Sequence, residues 1–362
     1  DKIRELGDFT VNEVATIENS TNSDFKYGEE VRAAYAKLAY GGTNWSVVGG
    51  LRYDDVATTA RNFERLADPG VDIYTQVERE GGYDNILPSI LFSYEPVQNL
   101  RFKAAASQSL ARPAPSDIAR TEILSADGST LSRGNPDLKP RKADNFDFAA
   151  EYYFDNGQAM ASIGLFHKEI EDEIVTRLST LTIDGQSVDV TQPVNAESAS
   201  VTGVELALVK NSFETMPDGF PDILRPFGVS ANLTWTDAEI SLDSTAMPQE
   251  KVDYLLDQPE WFGNASVFYV WDDGSEARLA YTWQSEYHDG ISASPASQVG
   301  WEGAKSLDFS LRKRLTDGLS LTFDARNLTD ENRVRLRGPG LSQLREDVEF
   351  GKSFFFGVSY RH

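Results

Sequence analysis

Apolar and polar residues alternate one for one along most of this chain. Leu319, Leu321, Phe323 and Ala325 are separated by Ser320, Thr322 and Asp324. Phe146, Phe148, Ala150 and Tyr152 alternate with Asp147, Ala149 and Glu151, and Val229, Ala231, Leu233 and Trp235 with Ser230, Asn232 and Thr234. Leu279, Tyr281 and Trp283, and then Leu307, Phe309 and Leu311, repeat the pattern. Successive strand residues point to opposite faces, so each run reads as a strand with one apolar face. No convincing 3.6-residue stripe competes with it, and the chain is expected to be all-β. The spacing predicts strands over 29–39, 45–56, 83–95, 99–109, 144–155, 159–170, 200–211, 226–239, 261–271, 275–287, 305–315, 318–328 and 352–361, with a weaker one near 9–18. These are about 14 strands of roughly 10–13 residues, longer than the usual 5–6 and long enough for a tilted strand to cross a bilayer.

The connections between these strands are sorted by length. Residues 41–44, 95–98, 155–157, 272–274 and 316–318 are short turns rich in Asp, Asn and Gly. Between them fall long polar segments at 57–82, 110–143, 171–199, 240–260, 288–304 and 329–351. Only 212–225 departs from the rule, being long at a short-turn position. A soluble sandwich has the same solvent at both ends and no reason to sort its loops. An outer-membrane barrel has short periplasmic turns and long extracellular loops. Trp and Tyr near many strand ends, among them Trp45, Tyr94, Trp235, Trp261, Trp271 and Tyr360, suit two interfacial girdles. The expected fold is therefore an antiparallel transmembrane β-barrel of outer-membrane type, filling residues 1–362.

Composition narrows the function. The formal charge is −23, from 57 Asp and Glu against 34 Lys and Arg, which excludes a basic face for nucleic acid. There are no cysteines, and His167, His288 and His362 lie far apart, so neither a thiolate nor a histidine metal cluster is expected. No nucleophile elbow is present; the chain does not read as an enzyme, and no cofactor is implied. The acidic run at 169–173 reads as a solvated rim. No apolar run approaches the roughly 20 residues of a membrane helix, which a barrel does not need. The charged residues at 1–6 imply a leader already removed, or a chain that begins mid-protein.

Several segments point to one family. Phe354, Phe356, Val358 and Tyr360 alternate back from the end like the terminal insertion signal of bacterial outer-membrane proteins, with His362 where an aromatic residue usually stands. The segment 109–118 (SLARPAPSDI) opens a long loop, 134–140 (GNPDLKP) closes it, 201–205 (VTGVE) opens a strand, and 327–331 (NLTDE) ends the penultimate one. In this order they resemble the C-terminal barrel half of TonB-dependent receptors over about 27–361, closest to a proteobacterial subgroup often associated with carbohydrate uptake. The resemblance implies a barrel of about 22 strands, an N-terminal plug and energy supplied by a TonB-type protein. Nothing in this sequence looks like a plug or a TonB contact, so the chain reads as the C-terminal portion of the barrel. A reduced closed barrel of about 14 strands, acting as a passive channel, is the alternative.

If the apolar partners face lipid, Arg52, Arg101, Asp147, Glu151, Glu205, Arg278, Asp308, Arg312, Asp324 and Arg326 face a wet lumen, since each would cost a few kcal/mol against lipid. Candidate ligand contacts are Arg112, Asp117 and Asn135 in the proline-rich loop, with loop anchoring as the plainer reading of that segment. Trp283, Tyr287, His288 and Trp301 offer aromatic faces beside polar groups, as a sugar ring requires, with an outer girdle as the plainer reading of Trp283 and Tyr287. Arg335 and Arg337, with Arg333 and Arg345, form a basic cluster for an anionic ligand or lipopolysaccharide phosphates, unless Glu346, Asp347 and Glu349 pair with them. The expected substrate is an oligosaccharide, with a ferric siderophore next. The partners implied are outer-membrane lipid and lipopolysaccharide.

Overall fold

The structure, a computed structural model, describes residues 20, 24–68, 71–125, 127–183, 185–242, 251–291 and 298–361. The weak strand near 9–18 and His362 lie outside them. The first elements are β1 (Lys26–Gly41), β2 (Trp45–Asp68), β3 (Val71–Val97), β4 (Leu100–Ala111), α1 (Pro115–Ala119), β5 (Ile123–Leu124), β6 (Thr130–Ser132) and β7 (Arg141–Phe154). There follow β8 (Ala159–Glu171), β9 (Ile174–Ile183), β10 (Gln186–Asn195), β11 (Ser198–Lys210), β12 (Phe227–Ser241), β13 (Lys251–Val252), β14 (Trp261–Val270) and β15 (Glu276–Gln284). The last are β16 (Tyr287–Gly290), β17 (Val299–Trp301), β18 (Ala304–Arg314), β19 (Leu319–Arg326), β20 (Arg333–Arg337), β21 (Gln343–Val348) and β22 (Ser353–Tyr360).

One fourteen-stranded antiparallel sheet forms the wall, in the order β1-β2-β3-β4-β7-β8-β11-β12-β14-β15-β18-β19-β22, with β13 paired to β12. Every strongly predicted strand is in it. Strand order follows the chain because each turn joins neighbours, which antiparallel pairing permits. Among the described residues β1 and β22 end the sheet and do not pair with each other.

Register fixes the faces. Phe148, Leu165, Val204, Trp235 and Trp261 lie side by side across five strands. Their face carries exposed apolar side chains from end to end, with Leu38 at 83% and Phe356 at 82% relative exposure. Phe354, Phe356, Val358 and Tyr360 stand on it, paired with Ala325, Phe323, Leu321 and Leu319. Apolar groups outside and polar groups inside invert the soluble arrangement and fit a wall in hydrocarbon. The inner face has glycines where bulk must pass: Phe166 lies over Gly203, where a Cβ would meet its ring and come 2.7 Å from the Trp235 carbonyl.

Two expectations are corrected. The segment 57–82 is not a loop but the continuation of β2 and β3, paired from Val56–Tyr83 up to Asp68–Val71. The apolar period is lost there while the ladder continues. The other long segments also carry strands: β5, β6, β10 and β9 make one small sheet, and β16, β17, β20 and β21 another. The long 212–225 connection is an ordered turn, gathered by the Arg225 guanidinium donating to the carbonyls of Glu214, Met216, Pro217 and Phe220 at 2.8–3.4 Å.

The long-loop segments pack on one another. Ile240 is fully buried with Val175, Ala196, Ala199, Leu242, Val252 and Ile291, drawn from three separate connections. Asn195 ties the 171–199 segment to the 110–143 one, its Nδ2 donating to the carbonyls of Lys139 (3.0 Å) and Asp172 (2.8 Å), its Oδ1 accepting from Lys139 N–H (2.9 Å).

Candidate ligand site

The inner face is polar and internally paired. Its ten predicted charges, Arg52, Arg101, Asp147, Glu151, Glu205, Arg278, Asp308, Arg312, Asp324 and Arg326, all fall on the register opposite the apolar rows. Lys103 Nζ sits 2.5 Å from Glu151, which also accepts from the Tyr153 hydroxyl at 2.8 Å. Arg101 lies over the Tyr153 ring, Arg278 over Phe268 at 4.8 Å, and Arg326 over Phe355 at 5.2 Å. Phe355, an aromatic on the polar side, thereby covers a guanidinium rather than meeting lipid. Asp308 accepts from the Ser306 hydroxyl and the Asn327 N–H, both at 2.8 Å, holding the turn that ends β19.

Two cavities open at the long-loop end. The first, 520 Å3, runs from Asp147, Phe166, Lys168 and Glu205 on the wall to Leu255 and Leu256 beneath the loops. Glu173 is buried at its rim, with Oε1 2.7 Å from Arg141 and Oε2 without a partner. Asn145, also lining it, spends its amide on the Ser107 and Ala143 carbonyls and the Ser109 hydroxyl. The second cavity, 540 Å3, is framed by Gln284, Tyr287, Trp301, Asn332 and Arg333. Arg333 stacks over the Trp301 ring at 4.1 Å and Arg335 approaches it at 5.4 Å. Arg335 Nη2 reaches Asp289 at 2.6 Å. Beside this cavity His288 stacks on Tyr254 at 3.9 Å, and its half-buried position pushes its pKa down.

The predicted ligand residues separate into groups. Tyr287 and Trp301 come together in the second cavity, cross-strand partners of β16 and β17. His288 and Arg335 stand behind it in packing and ion-pair roles, and Arg337 is exposed at the end of β20. Arg335 pairs with Asp289 rather than with the acidic residues of its own hairpin. Trp283 takes the girdle reading and not the ligand one: it shares the outer face with Leu279 and Tyr281, so it does not point into the lumen. Arg112 ion-pairs with Glu29 at 2.9 Å and approaches Asp54 at 4.0 Å, pinning its loop to the first hairpin. Asp117 and Asn135 brace that loop: Asn135 N–H donates to the Asp117 carbonyl at 2.7 Å, and its Nδ2 to the Pro193 carbonyl at 3.0 Å. Gly134 leaves room for this crossing, since a Cβ there would lie 2.8 Å from the Ile118 carbonyl. The sequence reading passed over Gln284 and Asn332, ordinary polar residues whose meeting depends on pairing between distant loops. Among the described residues no three His, Asp or Glu side chains converge on a metal position.

Residues 4–328 match the family described as "TonB dependent receptor-like, beta-barrel". No curated protein matches the sequence significantly. Solved structures are similar in fold. The ferric-catecholate import receptor Fiu of E. coli K12 matches at a TM-score of 0.65 and 18% identity, over 93% of this chain and 45% of its own. The copper transporter OprC gives 0.65 and 14%, over 92% and 48%. The ferric yersiniabactin uptake receptor FyuA of Yersinia pestis gives 0.62 and 16%, over 93% and 46%. This chain thus spans about half the length of the structures it matches.

Proposed function

We propose, from the premise that this chain belongs to the TonB-dependent receptor family and forms part of its β-barrel, that the protein is an outer-membrane receptor importing a small nutrient. Its outer face meets lipid, its long-loop end faces the exterior, and energy comes from a TonB-type protein acting on a part of the receptor beyond this stretch of wall. A plug inside the lumen would meet the mixed-sign charges of the inner face, which suit ion pairs better than a filter for one sign. The role is transport, without a catalytic step.

The substrate we favour is an oligosaccharide. The observation that carries this is the second cavity, where Tyr287 and Trp301 stand beside the amides of Gln284 and Asn332. Sugars present apolar ring faces and polar edges, and this lining offers both partners. Titration of the full-length receptor in detergent, with a panel of oligosaccharides and a panel of ferric chelates, tests it. A sugar should bind, and Trp301→Ala should weaken it about tenfold, roughly 1.4 kcal/mol. Binding of a ferric siderophore with none of the sugars would replace this substrate.

A further inference from the structure

The outer face is not uniformly covered. Ala161, Ala231 and Ala265 lie in one row across β8, β12 and β14, with Leu208 between the first two and Tyr281 beyond the last. The next row toward the long loops holds Leu206, Leu233, Gly263 and Trp283, and then Lys305. The small residues leave a groove of 720 Å3 whose floor is backbone and whose lining is almost wholly apolar. Gly263 keeps it open: a Cβ there would lie 2.6 Å from the Asn232 carbonyl and 3.3 Å from Leu233.

Position and charge say what fills it. One register step above, Trp235 and Trp261 stand with ring centres 6.3 Å apart, and Trp235 Nε1 donates to Glu260 at 3.0 Å. Indoles with a wet hydrogen bond mark the bilayer surface. The groove therefore hangs just inside the hydrocarbon of the long-loop leaflet, and crosses about four strand spacings, roughly 19 Å, the reach of an extended alkyl chain. At its Trp283 end Lys305 is half-exposed, with Nζ 3.8 Å from Glu331 and donors to spare. In a chain of charge −23 a cation at this edge is a specific invitation to an anionic head group.

We propose that this groove is a lipid site, holding one acyl chain of a phosphate-bearing membrane lipid with its head group at Lys305. The inference rests on the membrane reading above. The test uses the full-length receptor in phosphatidylethanolamine–phosphatidylglycerol vesicles doped with phosphatidylglycerol carrying a photoactivatable group in its acyl chain. Label should concentrate about tenfold on peptides covering 229–235 and 261–267, relative to those covering 319–325 and 353–360 of the same outer face. Ala231→Phe with Ala265→Phe should abolish that excess while the protein keeps its folded gel mobility. Lys305→Gln, which leaves the packing alone, should reduce it for labelled phosphatidylglycerol but not for labelled diacylglycerol. Even labelling of all outer rows, or an excess untouched by the Phe pair, would overturn the site while leaving the membrane reading standing. No label anywhere on the outer face would overturn both.

Discussion

The wall and the loop assembly above it treat apolar side chains in opposite ways. In the wall, Leu38, Phe356 and Val358 point outward with 72–83% of their surface exposed. At the long-loop end, Ile240 at the tip of β12, with Val175 and Ala196, is at most 4% exposed, at the centre of a cluster built where three connections meet the wall. The strands have one chemistry and two solvents. Where hydrocarbon supplies the surroundings, the apolar row faces out and needs no partner. Where water does, the loops must bring their own core, and three of them converge to make it. The difference implies that a substitution's cost follows its region and face, not its hydrophobicity.

The largest effect should come from the loop core. Ile240→Ala removes a fully buried side chain and leaves a cavity, a change that costs about 2–5 kcal/mol. Because the cluster gathers the tips of β11 and β12 with the connections beyond them, the loss should be local to that end. Hydrogen exchange should quicken in 174–195 and 251–256 while the β18, β19 and β22 amides stay protected. Equal loss in both regions would dissolve the distinction between wall and cap.

The wall answers to face instead. Val267 is outward on β14, between Val229 and Leu279, whereas its neighbour Ser266 is inward. Val267→Arg should cost about 2–4 kcal/mol near the midplane, read as the shift in a folding titration into vesicles, and Ser266→Arg well under half of that. Equal costs would mean that the faces had been assigned the wrong way round.

How much of this was legible follows from the same contrast. Wall strands were readable because a bilayer enforces alternation over a fixed length, and β14 and β19 were placed within two residues of their ends. The upper parts of β2 and β3 were not, because no sustained alternation of apolar residues over 57–82 records the pairing. Loop strands such as β17, only Val299–Trp301, were too short to leave a pattern. The candidate site divided likewise. Trp283 carried two readings, and its parity with Leu279 and Tyr281 already favoured the outer girdle over ligand contact. Arg333 over Trp301 had no local signal at all, since it depends on β17 pairing with β20, about thirty residues away along the sequence.

The smallest expected effect probes the seam between loops. His288 stacks on Tyr254, its backbone carbonyl accepts from Asp257 N–H at 2.8 Å, and its Nδ1 is buried without a partner. Burial lowers its pKa, and this outweighs the upward pull of Glu286, the Val299 backbone and Asp289. Below the ordinary histidine value of about 6.5 the unfolded segment takes up a proton that the folded one resists, so stability falls as pH falls from there toward the depressed folded value. Exchange protection of 252–257 and 287–291 should therefore drop several-fold between pH 7 and pH 5, with the wall unchanged. His288→Phe, which keeps the stack but cannot take a proton, should flatten that dependence. If the slope survives in the variant, the titrating group is not His288 and the seam is not its seat.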